Sequence, residues 1–213
     1  MKKSISVLIL GALMAANLVN AQTPIVDSRK TLHVGAKLGI NYSDIYDKQG
    51  DFNLSDPRLG FTTAIFMAIP IGTYIGIQPE IQFSQKGFNA HGRDGEERNN
   101  FSRTSNYLDL PVLFALKPTQ SLTFLIGPQI SILLSQRDVY ESTMADIQLR
   151  QEIESRRSGK NTIGLNAGLD FNLSNLVFGT RVGWDLLNNN GDDSSSILQY
   201  KNIWYQITVG LRL

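Results

Sequence analysis

The chain has 213 residues, a formal net charge of +1 and no cysteine. The near-neutral charge, without any basic run, argues against a nucleic-acid partner. The absence of cysteine excludes disulfides and thiolate metal sites.

The first element along the chain is a predicted cleaved signal peptide, residues 1–21. Two lysines precede an apolar run over residues 5–16, and Val19 and Ala21 form a cleavage site for signal peptidase. A single transmembrane helix is the alternative, but this apolar run is too short to span a bilayer comfortably. We expect residues 22–30 to form a polar lead-in on the periplasmic side.

From residue 31 onward the chain contains eight segments in which apolar and polar residues alternate. Side chains alternate between the two faces of a β-strand, so each segment predicts a strand with one apolar and one polar face. The predicted strands are residues 31–42, 58–69, 74–88, 103–116, 122–136, 162–173, 176–187 and 202–213.

The connections between these strands alternate in length. Short links follow the second, fourth and sixth strands, whereas the other four connections are long and polar. One of the long ones, residues 138–158, is compatible with a short exposed helix. An even number of strands with short turns on one side is typical of outer-membrane barrels, whose short turns face the periplasm.

The predicted fold is therefore all-β, an eight-stranded antiparallel up-and-down transmembrane β-barrel over residues 31–213. No later apolar run approaches the roughly 20 residues of a spanning helix, and strands cross a membrane only in a closed barrel. A soluble lipocalin-like barrel is the alternative. It would need apolar residues inside, and the less apolar face here carries Gly, Asn, Gln and charged residues.

An eight-stranded barrel is only wide enough for its own side chains to fill. The inward positions carry four bases and four acids, which predicts a charge-balanced structural network because desolvated charges need partners. In this hypothesis Glu80, Asp109 and Asp170 neutralise Lys37, Arg181 and Arg212. A narrow ion path is the alternative. The eight residues are Lys37, Glu80, Lys86, Asp109, Asp170, Arg181, Asp185 and Arg212.

The sequence predicts no catalytic, cofactor or metal site. Neither His33 nor His91 stands in a His-x-Ser arrangement, and no Gly-x-Ser-x-Gly elbow occurs. Acidic clusters in the long connections are expected to be solvated rather than to bind Ca²⁺. Trp and Tyr side chains are candidates for interfacial belts. The pattern offers no role for Trp204 and Tyr107, which fall on the inward parity.

Three short motifs resemble the PorT-like outer-membrane β-barrel family, also described as porin family proteins. They are IQPEIQFSQKG at residues 77–87, YLDLPVL at 107–113 and GPQISIL at 127–133. The resemblance implies an outer-membrane barrel of Gram-negative bacteria and no known reaction. The founding member is tied to a secretion and gliding system. Leu213 departs from the terminal aromatic residue that is common in such barrels.

Together, these observations predict a non-enzymatic protein of the outer membrane with a structural or loop-mediated role. A narrow channel for ions or small solutes and an accessory component of protein secretion are the alternatives. The expected partners are outer-membrane lipid and lipopolysaccharide, the barrel-insertion machinery and, for the secretion alternative, secretion-system proteins.

Overall fold

The structure is a computed structural model that describes residues 27–49, 55–94, 97–144, 147–155, 161–187 and 199–213. The predicted signal peptide and the first part of the lead-in lie outside the described residues.

The described chain consists almost entirely of antiparallel strands. Eight of them close into a ring in the order β1-β2-β3-β4-β5-β7-β8-β9, and β9 pairs again with β1. β6 pairs with β5 beyond this ring. The predicted eight-stranded up-and-down barrel is confirmed. The strands are β1 (His33–Gln49), β2 (Ser55–Pro70), β3 (Ile75–Asp94), β4 (Glu97–Leu116), β5 (Leu122–Met144), β6 (Ile147–Ser155), β7 (Thr162–Leu173), β8 (Leu176–Asp185) and β9 (Gln199–Arg212).

Burial follows the alternation of the sequence along most of the barrel wall. On β1, Leu38 is 64% exposed whereas its neighbour Lys37 is 4% exposed. Such a surface, apolar all round the wall, is stable where it contacts acyl chains rather than water. Other exposed members of this outer wall are Ile40, Leu59, Phe61, Ile65, Ile81, Val112, Phe114, Ile126, Ile130, Tyr205 and Ile207.

The two ends of the barrel differ. At one, the turn end, strands are joined by residues 71–74, 117–121 and 174–175, and the lead-in lies there too. At the other, the hairpin end, the strands run on past the barrel wall. No helix among the described residues is long and apolar enough to cross a membrane.

At the hairpin end, much of the connections that were predicted to be long and polar is strand. β3 and β4 stay paired as far as Asp94 and Glu97, and β5 and β6 as far as Met144 and Ile147. The described part of residues 138–158 is therefore strand, not helix. Residues 91–100 are polar or glycine and so show no two-residue period, while inter-strand backbone hydrogen bonds still pair the strands.

A β-bulge changes which residues of β5 point inward. Tyr107 pairs with Leu133 but the preceding Asn106 pairs with Ser135, so β5 carries one extra residue at this point. On the turn side of the bulge Ser131 is buried, and on the hairpin side Gln136 is buried. The bulge thereby directs Asp138, which belongs to a predicted loop, toward the interior.

Candidate functional site: the filled lumen

The first layer of the lumen, toward the turn end, is a cluster of four buried charges. Lys37 Nζ lies 2.7 Å from Glu80 Oε1, and Arg181 Nη2 lies 3.4 Å from the same oxygen. Arg181 also binds Asp170 with both terminal nitrogens, at 2.7 and 3.1 Å. Gln78 donates to both carboxylates. Two positive charges therefore meet two negative charges, as buried ions require.

The strands around this layer leave room for its long side chains. β2 lies between β1 and β3 and presents the small residue Ala64 opposite Lys37. The Lys37 ammonium can thus reach across β2 to Glu80. The ring of Phe66 lies against the same ammonium, with its centre 5.0 Å from Nζ, and separates it from the turn end.

The second layer, toward the hairpin end, centres on Lys86. Its Nζ lies 3.6 Å from the centre of the Trp204 ring and 5.0 Å from that of Tyr107. Asp109 Oδ2 is 3.0 Å from the same nitrogen. The angle at this contact is not that of a hydrogen bond, so the attraction is that of an ion pair within an aromatic cage. All four side chains are buried.

Trp204 reaches the lumen because its neighbours on both adjoining strands are small. It is paired with Gly183 on β8 and with Ser43 on β1. A Cβ at Gly183 would lie 2.2 Å from Cζ2 of Trp204. Only glycine leaves the space that the indole occupies, and the indole is fully buried.

All eight predicted network residues belong to the inner wall, but the partners differ from the hypothesis. Asp109 pairs with Lys86 rather than with Lys37, Arg181 or Arg212, because it lies in the second layer. Asp185 accepts a hydrogen bond of 2.8 Å from Asn202 Nδ2.

Arg212 is not part of either layer. Its Nε donates to the Ser174 carbonyl oxygen at 2.9 Å, at the turn end, and no described carboxylate forms an ion pair with it. As the last residue of β9 it lies beyond the charged cluster, whose carboxylates are already bound to Lys37 and Arg181.

Several luminal residues were missed by sequence reasoning. Arg103 forms a two-point contact of 2.8 and 2.7 Å with Asp138, whose inward direction depends on the β-bulge. Tyr107 and Trp204, candidates for an interfacial belt, lie inside. The sequence did contain a signal for this, because the alternation places both residues on the inward face of their strands. Two apolar clusters fill further parts of the interior, Ile45, Phe88, Ala90 and Phe101 toward the hairpin end and Leu113, Ala115 and Leu125 between β4 and β5.

The lead-in forms a short 3₁₀ turn, Ser28–Lys30, at the turn end. Arg29 Nη1 donates to the Pro118 carbonyl oxygen, and the guanidinium carbon lies 5.0 Å from the centre of the Tyr74 ring. Arg29 also binds Asp27, and its hydrogen bonds to that carboxylate lower the pKa of Asp27 to about 2. These contacts tie the lead-in to two of the turns.

The interior is packed with charged, aromatic and aliphatic side chains. The lysines and arginines of the two layers, Lys37, Lys86 and Arg181, are each paired with a buried carboxylate. Among the described residues, no group of three or more His, Cys, Asp or Glu side chains is arranged to hold a metal ion.

Comparison with known proteins agrees with this architecture. The family model described as outer membrane protein beta-barrel domain matches residues 20–191. No curated protein matches the chain.

Three solved structures are similar to the chain at low sequence identity. Ail, the attachment invasion locus protein of Yersinia pestis, is 13% identical with a TM-score of 0.46, over 85% of this chain and 98% of that one. OprG of Pseudomonas aeruginosa is 11% identical with a TM-score of 0.45, over 88% and 99%. CarO of Acinetobacter baumannii is 8% identical with a TM-score of 0.40, over 82% and 96%.

Proposed function

Because the chain belongs to the outer membrane protein beta-barrel domain family, we propose that it is a non-enzymatic barrel that acts through its hairpin end. The protein is located in the outer membrane, with the exposed apolar wall of the barrel in contact with lipid. In the usual orientation of such barrels the turn end faces the periplasm and the hairpin end faces outward.

The observation that carries this proposal is the filled lumen. The charged layer of Lys37, Glu80, Asp170 and Arg181 crosses the interior, and its side chains are buried. A solute would have to displace these ion pairs and then pass the buried Trp204. Each step leaves a buried charge without its partner, which costs several kcal/mol. The lumen therefore supports the barrel rather than transport.

The length of the strands supports a role outside the membrane. A membrane-spanning strand needs roughly 9–11 residues, whereas β3 and β4 have 20 each and β5 has 23. Their hairpin-end portions are held in ladders with one another and with β6. Paired strands present a surface of defined shape, as recognition of lipopolysaccharide or of a protein partner requires.

Planar-bilayer recording tests the filled lumen. The mature protein is refolded, and faster gel migration before boiling than after verifies the intact barrel. We expect no discrete openings under conditions in which a conducting porin, reconstituted in the same membranes, does open. Regular single-channel steps would contradict the proposal and favour the channel for ions or small solutes.

A shortened hairpin tests the role of the hairpin end. In one variant an Asn-Gly turn replaces residues 141–150, so that Tyr140 and Gln151, already paired, close a tight hairpin. We expect this barrel to insert normally yet fail to restore the envelope phenotype of a deletion strain. Full restoration would mean that the role is purely structural.

The PorT-like motifs favour one alternative, an accessory role in protein secretion. They lie on β3, β4 and β5, the strands that build the longest hairpins. Crosslinking in cells followed by identification of the attached proteins distinguishes this alternative. Recovery of secretion components on hairpin-end residues would support it, and recovery of the barrel-insertion machinery alone would not.

A further inference from the structure

The turn end of the barrel contains a pocket of about 290 Å³ that neither layer of the lumen fills. It is lined by polar residues from the lead-in, from the start of β1 and from the ends of β7 and β9. Among them are Ser28, His33, Asn172 and Arg212. A smaller cavity of about 20 Å³ shares these four residues and is also lined by Lys117.

The side-chain charges around this pocket do not balance. Lys117 is 6% exposed, and its Nζ donates to the Arg29 carbonyl oxygen at 3.4 Å. Burial, and then the charge of Arg212, lower the pKa of its ammonium group. No ion pair joins Lys117 or Arg212 to a carboxylate in the described part of the chain. Arg212 lines this pocket and Lys117 lines the smaller cavity that shares part of its wall, and neither has a carboxylate partner of its own among the described residues.

The other titratable groups at the pocket do not change this balance. Asp170, the carboxylate that lines the smaller cavity, is bound by both terminal nitrogens of Arg181. Arg29 is paired with Asp27. His33 contacts the Ser28 carbonyl oxygen through Nε2, and its Nδ1 lies 3.2 Å from the Leu213 backbone oxygen. The side chains that remain without an acidic partner are both positive.

We propose that this pocket binds a soluble oxyanion, a phosphate or carboxylate group, that enters from the periplasm. Guanidinium and ammonium groups form the strongest hydrogen bonds that proteins offer to such groups. Arg212, which lines the wide pocket, would donate hydrogen bonds to the oxyanion. Lys117 lines the smaller cavity, which has room for about one water molecule, so its ammonium would attract the oxyanion over a longer distance. The proposal does not depend on what the hairpin end does.

The direction of the lining residues favours a soluble ligand over a lipid headgroup. His33, Asn172 and Arg212 belong to the inward rows of β1, β7 and β9, whereas lipid contacts the outward rows. A headgroup phosphate in the inner leaflet would meet the outside of the wall. The mouth of the lumen opens instead to the aqueous phase.

The experiment uses the mature barrel in phosphatidylcholine nanodiscs, titrated with inorganic phosphate and, separately, with acetate. Backbone amide shifts of His33, Asn172 and Arg212 report binding. We expect saturable shifts and about tenfold weaker binding in R212Q, which loses a charge-assisted hydrogen bond. K117M loses only the longer-range attraction of the ammonium group and should weaken binding by a smaller factor. R137Q, which removes a positive charge from an exposed residue near the hairpin end, is the matched control and should bind like the wild type.

Gel migration before boiling verifies that each variant is a folded barrel. Absence of saturable shifts with both anions would overturn the proposal, as would equal weakening in R212Q, K117M and R137Q. Nanodiscs with phosphatidylglycerol in place of phosphatidylcholine distinguish the source of the ligand. Before any phosphate is added, unchanged amide shifts of His33, Asn172 and Arg212 support a soluble oxyanion, whereas the shifts of the phosphate-bound state would identify a headgroup as the occupant and overturn the assignment to a soluble one.

Discussion

The ammonium nitrogen of Lys86 lies 3.6 Å from the centre of the Trp204 ring, so β3 and β9 meet across the interior of the barrel. These strands are separated in the ring by β1 and β2. The contact is therefore made through the lumen and not along the wall. It links the closing strand of the barrel to its middle, and its removal tests how the interior is held together.

Replacing Trp204 with alanine should strongly destabilise the barrel. The indole is fully buried, and its loss leaves a cavity beside the Lys86 ammonium. We expect the free energy of unfolding to fall by about 3–5 kcal/mol, as for other buried aromatic residues replaced by alanine. Urea titration in lipid vesicles measures it. W184A, on the outward row of β8, is the control, and an equal loss there would contradict a special role for Trp204.

Replacing Gly183 with alanine tests the space that Trp204 needs. The new methyl group would overlap the indole, so we expect a loss of about 1–3 kcal/mol in the free energy of unfolding. G72A is the control, because the nearest atom to a Cβ added at Gly72 is 3.7 Å away. This variant should change the free energy of unfolding by less than about 0.5 kcal/mol. When Trp204 is already replaced by alanine, the added methyl group has no indole to overlap, so G183A should lower the free energy of unfolding by less. An unchanged cost there would show that the clash lies elsewhere.

Replacing Glu80 with glutamine should leave Lys37 and Arg181 sharing the single charge of Asp170. Breaking one side of a buried ion pair costs about 3–5 kcal/mol, and we expect a loss of that size in the free energy of unfolding. K37M combined with E80Q restores the charge balance and should lose less than E80Q alone. D56N, at an exposed carboxylate, is the control. The two residues are not coupled if adding K37M to E80Q lowers the free energy of unfolding by as much as K37M does alone.

The conformation of the lead-in should depend on pH in the acid range. Asp27 has a pKa of about 2 in the folded protein against an ordinary value of 3.8, because Arg29 donates hydrogen bonds to it. A lowered carboxyl pKa stabilises the folded arrangement above pH 3.8, and this contribution is lost as the pH falls from about 4 to 2.

Carbon NMR of the Asp27 carboxyl group and the amide shift of Arg29 measure this transition. We expect both to report the same midpoint near pH 2. In D27N the Arg29 amide should already have its acid-state shift at neutral pH. A midpoint near pH 4 for Asp27 would show that this pair does not stabilise the 3₁₀ turn Ser28–Lys30.

The sequence by itself determined the barrel and the direction of most side chains within it. The reason is local, because the period of two follows from the geometry of a single extended chain and needs no knowledge of its partners. Lys37, Glu80 and Arg181 could therefore be assigned to the inner wall by parity alone.

The tertiary structure decided which inward residues meet and where the strands end. Whether Asp109 contacts Lys86 or Arg181 depends on the height of each residue along the barrel, which strand register, tilt and bulges set together. The hairpin end was hidden for a related reason. The residues there are mostly polar, and the hydrogen bonds that pair these strands are made by the backbone, whose partners a side-chain pattern does not identify.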